Sequence, residues 1–362
     1  MIAKKAENKI PLYRVIADEI RHMISANNFD YQNPICTEKS ICDKYKVSRI
    51  TAKHAINQLE GEGLLYRRRG LGSYVVEPQM AKTASNRTYA LVVPFSTTQG
   101  GIFRVVEALS RIFTREGHQI TIHANQGDDS QNGDLLAQLY KRQTDGVIYY
   151  PEHSGLPLDI LYSFVNDNRP VIILDKTVAY PEFTNVVCDN YRGGYLLTEH
   201  LISYGHTNIC YLSRFKMEKM SSIKDRYRGY EDCLQASGIA TPPRFVRWIF
   251  KEPSGYYMLK HLVNSLRIEG VTAILCENDE VAFNVYMCCQ SLGIRIPEDM
   301  NITGFDNIEW ATTGSAQITT IDQNFEKIGE AIASALIGDN YAPRQYTTPV
   351  HIIPRTSTGQ VV

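Results

Sequence analysis

The feature that most constrains this fold is an alternation of short apolar runs with helical patterns between Thr88 and Ile337. Runs such as Tyr89–Pro94 (YALVVP) and Val171–Leu174 (VIIL) are typical of strands that are buried on both faces. Helical patterns such as Ile102–Glu116 and Asp279–Leu292 separate them. This alternation predicts parallel sheets, and about 270 residues are too many for one sheet. We therefore expect an α/β body with two doubly wound lobes.

Polar and aromatic residues follow several of the predicted strands. In parallel α/β sheets, ligands bind at the carboxyl ends of the strands. Carboxylates, amides, an arginine and aromatic rings in one cleft suit a sugar, because each hydroxyl donates and accepts and a flat ring can cover the pyranose. The candidates are Phe95, Ser96, Tyr150, Asp175, Lys176, Asn278 and Asp306 at strand ends, and Arg226 in a polar loop before a predicted helix.

Several of these polar residues have a structural alternative. Asp189-Asn190 precede Gly193-Gly194 and can simply cap the following helix, and Asp279 can do the same for the next one. Asp175, Arg226, Asn278 and Asp306 can also be structural when each is taken alone. His206, in a Tyr-Gly-His sequence, is more typical of a turn than of a ligand contact, and we do not count it as a candidate.

A second pattern, Thr37–Val76, predicts two short helices followed by a hairpin. Thr37 and Ser48 are good N-caps for the two helices. Leu64–Tyr66 and Ser73–Val76 read as strands, with three arginines and a glycine-rich reversal between them. A helix pair followed by a basic hairpin suits DNA, with the second helix in the major groove and the hairpin on phosphates or in the minor groove.

We therefore predict a set of DNA-contacting residues in this stretch. A small helical domain with a solvated basic loop is the plain alternative for the helix pair alone. The candidates are Thr37, Glu38, Ser48, Arg49, Thr51, Lys53, Arg67, Arg68, Arg69, Gly70 and Gly72.

Composition narrows the class of protein. Residues 1–80 hold 13 Lys+Arg against 9 Asp+Glu, while the remainder holds 25 against 30, so a basic head precedes an acidic body. No apolar run reaches the roughly 18 residues of a membrane span, and Met1–Lys9 is too polar for a signal peptide, so we expect a cytoplasmic protein without membrane contact. The 8 cysteines form no C-x-x-C pair, which indicates reduced thiols rather than a metal site.

The N-terminal pattern resembles the winged helix-turn-helix of the GntR family of bacterial transcription regulators. The matching residues are Pro11-Leu12-Tyr13, Val47-Ser48-Arg49, Leu59–Leu64 (LEGEGL) and Arg69–Val75 (RGLGSYV). The chain departs from the family at Ile35-Cys36-Thr37, where Leu-Pro-Ser is common, and at Lys53, where arginine is common. Lysine keeps the charge but lacks the bidentate fork.

Residues 88–357 resemble the effector-binding region of the LacI family, which is similar to periplasmic sugar-binding proteins. The landmarks occur in the family's order and include Val171–Lys176 (VIILDK), Ala273–Asp279 (AILCEND) and Ile302–Asn307 (ITGFDN). The resemblance implies that Asp175, Arg226, Asn278 and Asp306 contact the effector and that an aromatic near Phe250 covers it. Lys176 stands where the family has arginine, and the family's hinge helix is absent.

We accordingly predict a domain order and lobe boundaries. Residues 1–77 form a winged helix-turn-helix domain, 78–87 a linker, and 88–362 a body for effector binding and dimerisation. Lobe one comprises about 88–189 and 319–340, and lobe two about 190–318 and 341–358. This arrangement gives a two-lobed, periplasmic-binding-protein-like α/β body behind a small DNA-binding head.

The combination resembles the AraR group of arabinose-responsive repressors. It implies a homodimeric regulator of carbohydrate use that binds double-stranded operator DNA and is released by a small sugar such as arabinose or fucose, without cofactor or metal. A corepressor-type regulator that responds to another metabolite, such as a purine, is the alternative interpretation. A GntR-headed enzyme would need a Schiff-base lysine with an acidic partner, which the sequence does not indicate. A purely sugar-binding protein is opposed by the DNA-binding head.

Overall fold

The computed structural model describes residues 11–25, 29–30, 33–68, 71–75, 86–94, 101–125, 129–151, 155–215, 220–240, 245–248, 255–315, 317–337 and 341–361. The chain divides into two units, Met1–Ser85 and Asn86–Val362. Most of the predicted linker, 78–85, and three candidate ligand contacts, Phe95, Ser96 and Phe250, lie outside the described residues, as do Arg69 and Gly70 of the hairpin.

The first unit contains three helices and a two-stranded hairpin. The helices are α1 (Leu12–Ser25), α2 (Glu38–Tyr45) and α3 (Arg49–Gly61), and the strands are β1 (Leu65–Arg68) and β2 (Gly72–Val75). Ile16, Ile41, Ile56, Leu59 and Val75 belong to one buried cluster that joins all of these helices to the hairpin. The first strand runs further than predicted, so Arg67 and Arg68 lie in the antiparallel ladder opposite Ser73 and Gly72.

Lobe one of the second unit is built on a six-stranded parallel sheet. Its strands are β3 (Thr88–Pro94), β4 (Gln119–Asn125), β5 (Gly146–Tyr149), β6 (Val171–Leu174), β7 (Thr184–Cys188) and β13 (Gln345–Thr348), in the order β13-β7-β6-β5-β3-β4. Apolar clusters cover both faces, one under α4 (Gly101–Glu116) and α11 (Phe325–Leu336), the other under α5 (Asp129–Lys141) and α6 (Leu158–Asn166).

Lobe two has a four-stranded parallel sheet with helices on both faces. Its strands are β8 (Ile209–Ser213), β9 (Val246–Trp248), β10 (Ala273–Cys276) and β11 (Asn301–Thr303), in the order β11-β10-β8-β9. The helices are α7 (Asn190–Ser203) and α8 (Ser221–Ala236) on one face, and α9 (Gly255–Ile268) and α10 (Asp279–Leu292) on the other. The two lobes confirm the predicted doubly wound α/β body.

A two-stranded antiparallel ribbon, β12 (Thr320–Asp322) with β14 (His351–Ile353), connects the lobes. The prediction did not include these strands, because each is only 3 residues long and has no readable period. The assignment of 341–358 to lobe two is wrong for β13, which pairs in parallel with β7 of lobe one. The strand with which an edge strand pairs is determined by contacts with residues far away in the sequence, so the local sequence does not reveal it.

Arg226 lies on a different element from the one predicted. It occurs within α8, which begins at Ser221 rather than near Tyr227. The first turn of this helix is polar, and Met220 at the N-cap makes no side-chain cap bond, so the usual start signal is missing.

Candidate functional site

Two of the predicted DNA-contacting residues, Thr37 and Ser48, cap the helices α2 and α3. The Thr37 hydroxyl accepts the Ser40 amide at 3.0 Å while the Ser40 hydroxyl accepts the Thr37 amide at 2.8 Å, a complete capping box for α2. Ser48 caps α3 by accepting the Thr51 amide at 3.3 Å. The turn between the helices passes through Lys46, whose φ of 53° is left-handed. These hydroxyls therefore fix the helix positions.

The first turn of α3 presents its side chains outward. Arg49 is 84% exposed and lies 3.3 Å from Glu38 of α2, Lys53 is exposed, and Thr51 is half-buried. Ile50 beside them is 72% exposed. An exposed helix face with two cations fits major-groove contact.

The two described arginines of the hairpin differ in their surroundings. Arg67 bonds Asn57 at 3.0 Å and Glu60 at 3.1 Å, both on α3, so it ties the hairpin to the helix. The Arg68 guanidinium lies 4.8 Å from the ring centre of Tyr74 and forms no ion pair with any carboxylate that the structure describes. Arg68 is the better placed of the two for a phosphate.

Gly72, one of the predicted DNA contacts, also has a packing role in the hairpin. Its φ is +123°, and a Cβ at this position would lie 2.8 Å from the Pro34 Cβ. A side chain here would therefore push the hairpin away from the segment before α2.

In the second unit, the ends of strands from both lobes surround a cleft with a volume of about 300 Å³. Six of the predicted contacts line it together: Tyr150, Asp175, Lys176, Arg226, Asn278 and Asp306. Tyr150, Asp175 and Lys176 come from lobe one, and the others from lobe two, so a ligand in this cleft would contact both lobes.

Arg226 is the central cation of the cleft. Its side chain is 8% exposed, and its guanidinium donates to the Asn190 side chain at 2.8 Å and to the Glu277 carbonyl at 2.5 Å. It lies 3.6 Å from an Asp306 oxygen and 3.6 Å from the Phe305 ring centre. Two hydrogen bonds, an ion pair and a ring contact hold Arg226 in one orientation, as a pre-organised binding site needs.

Asp306 is the carboxylate that faces this arginine. Its φ of 118° is unusual for a residue with a side chain, and it accepts a hydrogen bond from Gln323. Burial raises the pKa of Asp306 to about 6, against the lowering effect of the Arg226 charge. The carboxylate is therefore ionised at neutral pH and can accept hydrogen bonds from hydroxyls.

Lys176 contacts lobe two as well as the cleft. Its ammonium pairs with Asp175 and donates to the Ser222 hydroxyl at 3.1 Å, and the neighbouring Thr177 amide donates to the Ser221 hydroxyl at 2.8 Å. These bonds join the loop after β6 to the start of α8. Lys176 thus links the lobes in addition to lining the cleft.

The structure gives Asn278 and Asp279 different roles, which the sequence alone did not decide. Asn278 is the N-cap of α10, and its side-chain oxygen accepts the Val281 amide at 2.9 Å, which leaves the amide group for a ligand. Asp279 is fully buried and accepts the Ile308 amide at 2.9 Å and the Thr320 hydroxyl. Burial and the nearby Asp306 charge raise the pKa of Asp279 well above its usual value. Asp189 caps α7 through the Arg192 amide, as the structural alternative predicted.

Sequence reasoning missed several residues of the cleft wall. Arg214 follows β8 and Glu277 follows β10, so the strand-end rule would have found both had it been applied to every strand. Glu277 is buried and bonds Arg214 at 2.9 Å, and Arg214 also bonds Glu280 at 2.8 Å. Trp310, Gln323 and Phe325 also line the cleft. Trp310 lies on a 3-10 turn, Gln323 follows the short strand β12, and Phe325 begins α11, so no long strand pattern precedes them.

Other reactive groups do not add chemistry to this cleft. Cys188 lines it, but burial raises the pKa of the thiol, which stays protonated. Within the described ranges, no group of three or more His, Cys, Asp or Glu side chains is placed to hold a metal ion.

Over the same ranges no helix is long and apolar enough to cross a membrane.

Comparisons with known families match both units. Residues 12–75 match the bacterial regulatory proteins of the gntR family, and residues 198–358 match the periplasmic binding protein-like domain. A protein from Geobacillus stearothermophilus, described as an arabinose metabolism transcriptional repressor, is 26% identical over 338 residues, covering 91% of this chain and 92% of its own. A protein from Actinobacillus pleuropneumoniae, described as the HTH-type transcriptional repressor PurR, is 29% identical over 258 residues, covering 70% of this chain and 74% of its own.

Solved structures show the same fold. A LacI family transcriptional regulator from Enterococcus faecium with bound ribose superposes with a TM-score of 0.66 at 24% identity, covering 76% of this chain and 100% of its own. All three of these proteins are described as transcription regulators or repressors.

Proposed function

We propose that this chain, a transcription regulator that joins a GntR-family winged helix-turn-helix domain to a LacI-like periplasmic-binding-protein-like domain, is a repressor that a small sugar releases from its operator. The observation that carries this proposal is the cleft in which Asp175, Arg226, Asn278 and Asp306 meet. Carboxylates, an amide and a fixed guanidinium supply both acceptors and donors, which a polyhydroxylated ring requires.

On the DNA side, Arg49, Lys53 and Arg68 would supply the contacts, with Thr37 and Ser48 positioning the helices. The protein would act in the cytoplasm as a homodimer, since two copies of a winged helix-turn-helix domain read two half-sites. Sugar binding would release DNA only if the sugar prefers the conformation with low operator affinity.

The sugar that we favour is a pentose such as L-arabinose, because the relative described as an arabinose repressor aligns with both units of this chain. A purine or another small metabolite acting as a corepressor is the second candidate, and the similarity to the PurR relative supports it. The carboxylates of the cleft favour the sugar, because a purine offers fewer hydrogen-bond donors to them.

A thermal-shift panel of L-arabinose, D-fucose, D-ribose and the purine bases would test the proposal. A ligand that binds the native state raises the melting temperature, by an amount that corresponds to about 2.7 kcal/mol at 100 times Kd. We expect a shift with a pentose, lost in Asp306→Asn and Arg226→Ala variants. Ser163→Ala, on α6 outside the cleft, is the control that keeps the shift. A shift with purines alone would contradict the proposal.

A further inference from the structure

Four described aromatic side chains line the cleft, and three of them have a cation close to the ring. The Lys176 ammonium lies 5.6 Å from the ring centre of Tyr150, and the Arg214 guanidinium lies 5.8 Å from that of Phe215. Phe325 packs against Gly101 so closely that a Cβ there would collide with its ring, and the Arg104 guanidinium lies 5.4 Å from its ring centre.

Trp310 has different surroundings. It is half-buried on a 3-10 turn, Glu309–Thr312, and Phe283 of α10 supports it at a ring-centre distance of 4.9 Å and an angle of 45°. Phe283 in turn stacks on Tyr286 at 6.0 Å, and the Tyr286 hydroxyl bonds Ser315 at 2.9 Å. The indole is therefore supported from α10, and Trp310 also lines the cleft.

The turn that carries Trp310 is held in place by the same buried carboxylate that organises the Asp306 loop. The Ile308 amide donates to Asp279 at 2.9 Å, the Ala311 amide to the Ile308 carbonyl at 3.0 Å, and the Ile318 amide to the Ala311 carbonyl at 2.7 Å. Ala311 is fully buried. A charged acceptor, Asp306, and a flat apolar surface, Trp310, are thus presented by one well-anchored segment.

We propose that Trp310 is a specificity-determining contact for the effector. Its indole face packs against the C–H face of a sugar ring, while Asp306 on the same segment accepts the ring's hydroxyls. The assignment rests on the proposed function and adds the residue that selects ring shape. A sugar whose axial hydroxyl interrupts the C–H face loses this contact, because the hydroxyl is desolvated against carbon without a partner.

The chain has 2 tryptophans, so each can be observed alone in the full-length protein. Trp248→Phe leaves Trp310 as the only indole, and Trp310→Phe leaves Trp248. With L-arabinose and D-ribose as probes, we expect the emission of the Trp248→Phe protein to change on binding and that of Trp310→Phe to stay constant. Trp310→Phe keeps a flat ring and should bind within about threefold of wild type, whereas Trp310→Ala should bind at least about tenfold more weakly by calorimetry.

Trp310→Leu is the variant that separates lost binding from lost folding, because leucine still packs on Phe283 but offers no flat face. Its weaker sugar binding, with a sugar-free melting temperature close to wild type, would support the assignment. Full affinity in Trp310→Ala or Trp310→Leu, or an emission change that follows Trp248, would overturn it and leave the proposed function standing. If neither probe nor D-fucose binds the wild-type protein, the proposed function fails and this assignment with it.

Discussion

At the scale of single residues, the cleft depends on buried charges that are held in pairs. Arg226 is close to Asp306, Lys176 to Asp175, and Arg214 to Glu277. Removing one member of such a pair leaves the other charge buried without compensation, which costs more than the pair contributes. Asp306→Asn also removes the charge, but it keeps the size of the side chain and one carbonyl acceptor, so it disturbs the packing of the cleft less than a truncation.

Sugar affinity should depend on pH through Asp306. Burial raises the pKa of Asp306 to about 6, so this carboxylate takes up a proton below that pH and loses acceptor capacity. If the ionised form alone binds, affinity should fall about tenfold between pH 7 and pH 5. Calorimetry from pH 5 to pH 8 would measure it, and Asp306→Asn should bind weakly at every pH. A pH dependence that survives in Asp306→Asn would point to Asp279, whose pKa burial also raises.

The same ionisation has a consequence for stability. The folded pKa of Asp306 is above the value of an exposed aspartate, so the folded state holds a proton that the unfolded state releases between about pH 4 and pH 6. The contribution of this group to the free energy of unfolding therefore falls as the pH rises through that window.

At the scale of elements, Arg226 is placed by the close crossing of α7 and α8. A Cβ at Gly194 of α7 would collide with the Arg226 carbonyl oxygen, and a Cβ at Gly229 of α8 would lie 2.7 Å from the Tyr195 amide nitrogen. Both helices therefore approach to backbone contact. Asn190, at the start of α7, reaches Arg226 because of this approach.

Gly194→Ala should separate the two helices. Overpacking of this kind costs about 2 kcal/mol, which corresponds to a fall in melting temperature of about 4–8 °C for a unit of this size. Sugar affinity should fall too, because Arg226 moves with α8. Gly133→Ala on α5 is the matched control, since its Cβ would lie 4.0 Å from Pro157 and alanine favours helix. Equal melting temperatures for the two variants would refute the close-crossing argument.

At the scale of the whole body, hydrogen bonds join the lobes on both sides of the cleft. On one side the Thr177 amide donates to Ser221 at 2.8 Å, and on the other the Arg104 guanidinium donates to the Asn307 carbonyl at 3.5 Å. The antiparallel ribbon of β12 and β14 is a further connection between the lobes. We predict that the lobes move as a hinged pair and that these hydrogen bonds stabilise the closed arrangement.

Ser221→Ala should weaken closure without unfolding either lobe. A lost hydrogen bond of about 0.7 kcal/mol corresponds to a roughly threefold rise in the Kd for sugar. The sugar concentration that releases operator DNA should rise by the same factor, because the coupling between the two sites is reciprocal. Titrations by calorimetry and by fluorescence anisotropy on labelled DNA would measure the two values, with Ser203→Ala as a control at an exposed helix end. A change in DNA release without a change in sugar Kd would contradict this account.

The sequence by itself determined most of the elements and their order, although it missed β12 and β14 and placed the start of α8 too late. The N-caps Thr37 and Ser48 predicted the starts of α2 and α3, and apolar runs such as Val171–Leu174 predicted buried strands. These predictions succeed because capping and periodicity are local properties of the chain. Strand-end positions also identified Asp175 and Asp306, since the chemistry of parallel sheets places ligands there.

Only the tertiary structure decided which of these residues meet and what each one does. Arg67 is engaged by α3, Lys176 joins the lobes, Asn278 rather than Asp279 caps α10, and β13 belongs to lobe one. Trp310 reaches the cleft on an irregular turn that has no period. These facts depend on contacts between segments far apart in the chain, and local preferences carry no information about such partners.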